Sequence, residues 1–475
     1  MKPTRTLLLA LLCTGLSTQA QVYISGQITT PKSDRIEFIK LSNSDDEEPP
    51  FEAAVDATGS FSLTLPVNSS GHFQLSYNRE VTTIYVEPGD SLFVAFDTKI
   101  FDESIKYSGR GAGNNNYMAA EFLAFGDYEN GKLPFFLQMQ DLANNYEPID
   151  AKPLALASMQ KELELLEEFK NVLSPSFYQY RSHEIAYAWK NVLLDIPDFR
   201  VYFLERKGQS FLKSSIPPSY YDFIDTSALE NVHATAVQEY HDFVTEAIRL
   251  ITHSQITYNY GAEKYFAELV KNAEQLLGPG LTRSTFILEM IDELGYELDP
   301  AVFQPYLSEY ATSKDASVAQ RANTLREKFE RMAKGVVLPP LLAFDTKGNQ
   351  VALNSLVGKV VYLDLWASWC MPCIQEFPKS KILQETYAAN PDVVFVYLSL
   401  DEEEDAWKKA LKKHKLDGYN LFLPGFKQAL PQYFSVNSIP RYILIGKKGE
   451  IIHASAPRPG SDKIRELINQ ALETK

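Results

Sequence analysis

Cysteine is scarce in this chain, with three residues among 475. Cys13 lies in a segment that we expect to be removed, so the mature chain keeps only Cys370 and Cys373. Two cysteines that are separated by two residues close a loop too small to stabilise a fold. A framework of disulfides spread along the chain, as exported proteins often have, is therefore excluded.

Basic residues are also fewer than acidic residues. The chain has 46 Lys and Arg and 61 Asp and Glu, which gives a net charge of −15. This balance argues against nucleic-acid binding, which needs concentrated Lys and Arg. The seven histidines show no ligand spacing, and a zinc site needs two ligands besides one Cys-x-x-Cys pair. We expect no nucleic-acid partner and no metal, and we assign the cysteine pair to redox chemistry.

The chain lacks the run of roughly 20 apolar residues that a membrane-spanning helix needs. Its N-terminus instead carries a basic start, a short apolar run over residues 7–16 and small residues up to Ala20. This order predicts a cleaved signal peptide over residues 1–20, and hence export. A membrane anchor and a lipid-modified Cys13 are the alternatives; Leu12 argues against the second, because a lipoprotein signal has a small residue there.

Six short alternating segments separated by turn residues predict an antiparallel β-sandwich over residues 21–110. The glycine- and asparagine-rich stretch 109–116 lacks the Gly-Lys-Ser/Thr ending of a nucleotide-binding loop. We interpret it as a flexible linker at a domain boundary. The acidic run 45–48 is interpreted as a solvated loop and not as a metal site.

Apolar residues at helical spacing predict an α-helical region over residues 111–335, with prolines such as Pro153 and Pro197 at helix boundaries. Its many aromatic side chains are interpreted as core, and a partner-binding surface is the alternative. Residues 336–475 alternate strands and helices. The predicted fold class is therefore multidomain, with an antiparallel β-sandwich, a helical middle and a C-terminal α/β domain.

The cysteine pair follows an apolar strand over residues 360–365 and opens a predicted helix. Unpaired backbone N–H groups and the helix dipole stabilise a thiolate at a helix N-terminus, and the thiolate is the form that attacks disulfides. Pro372 suits the first helical turn, where its missing N–H is not needed. The pattern predicts thiol–disulfide exchange.

The motif Trp366-Ala-Ser-Trp-Cys-Met-Pro-Cys373 resembles the thioredoxin fold, and most closely its TlpA/ResA branch of exported thiol–disulfide oxidoreductases. The resemblance implies a periplasmic protein-disulfide reductase or isomerase with no cofactor beyond the Cys370–Cys373 disulfide. Cys370 is then the exposed nucleophile and Cys373 the more buried resolving cysteine. The implied partners are exported proteins with disulfides, apocytochromes c among them, and a membrane thiol relay as reductant.

The resemblance also implies roles for two acids. Asp364 matches the buried acid of thioredoxins, and Tyr397 takes the position of the lysine that accompanies that acid. Glu376 matches an acidic residue that modulates the protonation of the sulfurs in the TlpA/ResA branch. For Glu376, an exposed glutamate without a role is the alternative.

A third set of residues is predicted to bind substrate. Ile439-Pro440 lies where the family has its cis-proline loop, although a proline that simply begins a strand is the alternative. Trp369, Met371 and Pro372 adjoin the sulfurs in sequence, with plain packing as the alternative role of the tryptophan.

The order of a β domain, a helical middle and this C-terminal domain also resembles exported proteins of Bacteroidetes-type bacteria. Two other functions stay open. A thiol peroxidase has a threonine three residues before its reactive cysteine, where this chain has Ala367. A binding or scaffold protein would use residues 21–334 to hold a partner.

Overall fold

The computed structural model describes residues 21–41, 49–126, 135–209, 216–256, 261–416 and 418–473. The predicted signal peptide, Cys13 and the acidic run 45–48 lie outside these residues. Within the described ranges, no helix has the length and apolar character needed to cross a membrane. The chain divides into two compact units, Met1–Ala247 and Ile248–Lys475.

Eight strands are described in the N-terminal unit: β1 (Gln21–Thr29), β2 (Arg35–Lys40), β3 (Phe51–Ala54), β4 (Ser60–Pro66), β5 (Gly71–Tyr77), β6 (Glu80–Val86), β7 (Ser91–Asp97) and β8 (Lys106–Arg110). They form two sheets, with strand orders β4-β1-β7-β8 and β3-β2-β5-β6. Alternate side chains of both sheets, such as Ile24 and Phe38, share one buried core. This confirms the predicted sandwich.

One strand pair departs from the antiparallel prediction. β1 runs parallel to β7, with Tyr23 opposite Ser91 and Thr29 opposite Asp97. A parallel pair needs a long crossover connection, and the five strands between β1 and β7 supply it. Within the described sheets of this unit, the remaining neighbours are antiparallel.

The stretch 109–116 is not a flexible linker. Gly111, with φ of 90°, connects β8 to helix α2 (Ala112–Glu121). Asn115 is buried, its amide donates to Tyr85 O at 2.8 Å, and its Oδ1 accepts from Tyr85 N at 2.9 Å. The glycine thus serves a left-handed turn and the asparagine pairs with a strand backbone, which composition alone does not reveal.

The helical middle is confirmed. A short helix, α1 (Phe101–Ser104), precedes this region within the predicted β domain. The helices of the middle region are α2, α3 (Phe135–Asn145), α4 (Pro148–Phe169), α5 (Pro175–Arg206), α6 (Gln238–Gln255), α7 (Ala262–Leu276), α8 (Leu281–Leu294), α9 (Pro300–Tyr310) and α10 (Ala316–Arg331). Pro153 and Pro197 lie inside α4 and α5, so the helix boundaries predicted at them are wrong. Burial of an apolar face, which includes Trp189 and Leu193 in α5, outweighs the backbone hydrogen bond that a proline removes.

In the C-terminal unit, residues just after α8 and at the end of α10 contact the α/β domain, which contains a mixed sheet. Arg331 Nε donates to Tyr433 O at 3.1 Å, and the Arg441 guanidinium lies 4.4 Å from the centre of the Tyr296 ring. Tyr296 also packs against the core of the sheet. The domain boundaries proposed from the sequence at 110/111 and 335/336 stay predictions.

The sheet of this unit has seven strands in the order β10-β9-β13-β12-β11-β14-β15. They are β9 (Leu342–Asp345), β10 (Gln350–Ala352), β11 (Val360–Trp366), β12 (Val393–Ser399), β13 (Tyr419–Phe422), β14 (Arg441–Ile445) and β15 (Ile451–His453). The helices that accompany it are α11 (Met371–Thr386), α12 (Glu404–His414), α13 (Ala429–Tyr433) and α14 (Asp462–Glu473). The predicted C-terminal α/β fold is confirmed, and its fully buried central strand β11 leads into α11.

Candidate active site

The cysteine pair lies between the end of β11 and the first turn of α11. Cys370 and Cys373 form a disulfide, with their Cα atoms 5.3 Å apart. Cys370 caps the helix, because the Cys373 N–H donates a hydrogen bond to Cys370 Sγ at 3.2 Å. The position of this sulfur in the field of the helix N-terminus agrees with the predicted redox role.

The predicted exposure of Cys370 is wrong in this oxidised form. Cys370 is 3% exposed and Cys373 is 1% exposed. The reason is that both cysteines pack into an apolar cluster, which includes Trp366. The exposed surface belongs instead to the neighbours Trp369 and Met371, at 59% and 60%.

The predicted proline loop adjoins the same cluster. The Ile439–Pro440 peptide bond is cis, as predicted. Ile439 is partly buried and packs against the cluster that holds Cys370 and Cys373. The binding of substrate by Ile439, Pro440 and the exposed residues Trp369, Met371 and Pro372 stays a prediction.

Asp364 is enclosed at the centre of the sheet. It lies opposite Tyr397 of β12, in agreement with the position that the resemblance implies for this tyrosine, and opposite Tyr442 of β14. It is 3% exposed, and neither of its carboxyl oxygens has a hydrogen-bond partner in the described part of the chain. Burial, and then the charge of Glu376, raise the pKa of Asp364 well above its ordinary value.

Glu376 lies on the buried face of α11 and is 5% exposed, which excludes the alternative of an exposed glutamate. Its Oε1 accepts hydrogen bonds from Lys379 Nζ at 3.0 Å and from Arg458 Nη1 at 3.4 Å. Its Oε2 is buried without a hydrogen-bond partner among the described residues. Both predicted acids are therefore buried, and the charge of Glu376 acts on Asp364.

Two tyrosines, Tyr362 and Tyr442, are buried, which raises their pKa values, and lie close enough to Asp364 for its charge to raise these pKa values further. Tyr442 Oη and Ser380 Oγ are buried and have no described hydrogen-bond partner. The rings of Tyr442 and Tyr362 stack at 5.4 Å, and Tyr362 Oη donates to a main-chain oxygen at 2.8 Å. Burial, and then the negative charge of Asp364, raise the pKa of Tyr442.

Sequence reasoning missed the residue that holds the segment before Cys370. Asp401 is 2% exposed, and its carboxylate accepts hydrogen bonds from the Ser368 N–H at 3.0 Å and the Ser368 hydroxyl at 2.6 Å. Ser399 Oγ donates to the same carboxylate at 2.7 Å. An aspartate directly after an apolar strand was the available signal. No sequence signal marked Arg458 as a partner of Glu376, because the two residues are 82 positions apart in the chain.

The known proteins that this chain resembles include thioredoxin-like proteins and thiol–disulfide oxidoreductases. A thioredoxin-like family model matches residues 358–451. Thiol–disulfide oxidoreductase ResA of Bacillus cereus is 32% identical over 123 residues, which cover 26% of this chain and 69% of that relative. Thioredoxin-like protein YneN of Bacillus subtilis is 30% identical over 130 residues, which cover 27% of this chain and 74% of YneN.

Among solved structures, the thioredoxin domain of a thiol–disulfide oxidoreductase from Bacteroides vulgatus is 28% identical. The match covers 29% of this chain and 96% of that domain, with a TM-score of 0.26. The sequence matches to the curated relatives extend over most of the length of each relative, and the disulfide stands at the start of α11. The chain therefore belongs to the ResA-type thiol–disulfide oxidoreductases of the thioredoxin-like family.

Proposed function

We propose that this oxidoreductase is exported to the periplasm, where it reduces or isomerises disulfides in other exported proteins. The disulfide at the N-terminus of α11, with Cys370 Sγ accepting the Cys373 N–H, carries the proposal. The signal-like sequence at residues 1–20 supports export. We further propose that a membrane thiol relay supplies electrons and that apocytochromes c are among the substrates.

The proposed reaction begins at Cys370. Its thiolate attacks one sulfur of the partner disulfide, so the partner S–S bond breaks and a mixed disulfide forms. The second partner sulfur leaves as a thiolate and takes up a proton. The Cys373 N–H stabilises the attacking thiolate, because it already donates to this sulfur in the disulfide form.

Cys373 completes the reaction. It loses its proton and attacks Cys370 Sγ, so the mixed disulfide breaks and the Cys370–Cys373 disulfide forms. The partner has then gained two electrons and two protons, which this chain has lost. The membrane relay then reduces the Cys370–Cys373 disulfide by donating two electrons, and the enzyme takes up two protons.

Asp364 is proposed to handle the proton of Cys373. Because its carboxyl group is buried without a hydrogen bond among the described residues, the protonated form is favoured. When the relay reduces the disulfide, Cys373 leaves as a thiolate and can take this proton. In the opposite direction, the ionised Asp364 takes the proton back. Glu376 is proposed to tune this transfer through its charge, which raises the pKa of Asp364.

The side chains around the disulfide are proposed to receive the substrate. Trp369 and Met371 present exposed apolar surface beside a sulfur that is itself almost fully covered. Apolar and aromatic surface next to the sulfur suits an unfolded or partly folded segment around a disulfide. Pro372, Ile439 and Pro440 are proposed to extend this surface.

Trapping in cells tests the order of attack. Cys373→Ala leaves the mixed disulfide on Cys370 without its resolving thiol, so we expect covalent adducts that dissociate on reduction. These adducts are expected to disappear in the variant that also carries Cys370→Ala. Cys370→Ala alone serves as the matched single variant. If Cys373→Ala forms no adduct, or if the double variant still forms them, the proposed roles are wrong.

A further inference from the structure

The N-terminal unit holds a cavity of about 550 Å³ where β6 meets α2, α3, α4, α5 and α6. A second cavity of about 410 Å³ shares lining residues with it, Arg181 among them. These volumes lie in the usual range of small-molecule sites. The lining of the larger cavity includes Met118, Phe122, Phe135, Glu162, Arg181 and Glu239.

Negative charge exceeds positive charge in this cavity. Its described lining contains five carboxylates and one base, Arg181. Two of these acids already hold the guanidinium, because Arg181 Nη2 lies 2.8 Å from Glu121 Oε2 and Arg181 Nη1 pairs with Glu184. The cavity therefore has carboxylates that its own cation does not neutralise.

Glu162 is a buried carboxylate of this cavity that Arg181 does not pair with. It is 8% exposed, lines the cavity and forms no ion pair within the described ranges. Burial, and then the charge of Glu121, raise the pKa of Glu162 to about 7. The indole of Trp189 lies beside Glu162, and its interaction with the carboxylate and the charge of Arg181 partly offset the effects that raise the pKa of Glu162. A cation that enters the cavity would stabilise this buried carboxylate.

Aromatic side chains supply the other part of the lining. Phe122 is 44% exposed and Phe135 is 40% exposed, although both border the cavity. Phe122 opens a π-helical turn, Phe122–Gly126, and such turns are frequent at functional sites. Aromatic faces attract both cations and apolar groups.

We propose that this cavity binds a small organic cation with an aromatic or aliphatic body. Its ammonium or guanidinium group pairs with Glu162 and Glu239, and its apolar body packs against Met118, Phe122 and Phe135. The site is separate from the cysteine chemistry and does not depend on it.

Isothermal titration of the full chain with phenethylamine tests the proposal. We expect saturable binding, and we expect 2-phenylethanol, which has the same body without the charge, to bind at least about tenfold more weakly. Glu162→Gln keeps the shape of the side chain and removes its charge, so it should weaken phenethylamine binding by at least about tenfold. Glu168→Gln, an exposed position on the same helix, should bind like the wild type.

Three results would overturn the proposal: no saturable binding of phenethylamine to the wild type, equal affinity for 2-phenylethanol, or unchanged affinity in Glu162→Gln. Circular dichroism shows whether that variant folds. If it does not, Glu239→Gln replaces it, with the same expected weakening. Because binding and not disulfide reduction is measured, failure of the proposed periplasmic function leaves this test valid.

Discussion

Two buried acidic centres, one in each unit, treat the charge of their carboxylates differently: one lies around Arg181 and the other around Asp364 and Glu376. In the N-terminal unit, Arg181 pairs with Glu121 and Glu184, and all three side chains are less than a quarter exposed. In the C-terminal unit, Asp364 has no hydrogen bond within the described chain. Among the described residues, Glu376 accepts hydrogen bonds at Oε1 and not at Oε2, and the donors, Lys379 and Arg458, are themselves largely exposed.

The proposed function gives the two centres different roles: the ion pairs of Arg181 are structural, and Asp364 is proposed to transfer a proton. A buried ion pair costs desolvation energy and holds its members in place, because loss of one partner strands the other charge. A buried acid without a partner favours its neutral form and can exchange a proton with a nearby thiol. We therefore expect Arg181→Met and Asp364→Asn to change stability in opposite directions.

The largest stability effect is expected for Arg181→Met. This substitution leaves Glu121 and Glu184 buried without their cation, and the loss should be about 3 kcal/mol of unfolding free energy. Urea denaturation at neutral pH measures it.

Arg206→Met is the matched control, since Arg206 is an exposed arginine on the same helix. It should change stability by less than about 0.5 kcal/mol. Equal effects of the two substitutions would show that the buried ion pairs do not stabilise the fold as described.

The second-largest effect on stability is expected for Asp364→Asn, and this substitution should stabilise the fold. The folded state binds the Asp364 proton more tightly than the unfolded state, so wild-type stability is lost as pH rises above about 4. Asparagine does not titrate there. The variant should therefore be more stable than the wild type by ~1–3 kcal/mol at about pH 8, and the difference should shrink toward pH 4.

The same variant should react more slowly. Without a proton donor for Cys373, reduction of the Cys370–Cys373 disulfide by a dithiol should slow by about 100-fold or more. Asp462→Asn is the control, because that side chain is 91% exposed. A variant that is destabilised at high pH, or that keeps the wild-type rate, contradicts the proposed role.

The smallest effect is expected for Arg458→Gln. Its contact with Glu376 is 3.4 Å long and its side chain is 60% exposed, so solvent screens the pair. We expect a loss below about 1 kcal/mol in urea denaturation, reduced further by added salt. A loss as large as that of Arg181→Met would mean that the two centres are not built differently.

Local sequence patterns predicted the elements that carry the chemistry. The apolar run of β11 and the helix after Cys370 were predictable, because each depends on nearby residues. The cis bond at Pro440 was predicted from the resemblance to the family. The buried environment of Glu376 was not determined by spacing, and only the resemblance placed it near the sulfurs. The packing that covers Cys370 was also missed, because the cluster gathers residues from distant segments.

The N-terminal unit shows more clearly that local sequence patterns do not reveal contacts between distant segments. Alternation revealed six strands, but the parallel pairing of β1 with β7 is a property of the whole sandwich. Asn115 looked like part of a linker because its partner, Tyr85, is 30 residues away. Arg181 and Glu121 also meet only in the folded unit, so no local pattern marked their cavity.

The order of sulfur attack is the central claim, and acid quenching tests it most directly. The reduced full chain is mixed with a peptide disulfide, quenched in acid at successive times and mapped by mass spectrometry. The account predicts a peptide adduct on Cys370 alone, which decays as the Cys370–Cys373 disulfide forms. An adduct on Cys373, or a Cys370 adduct that does not decay, would contradict it.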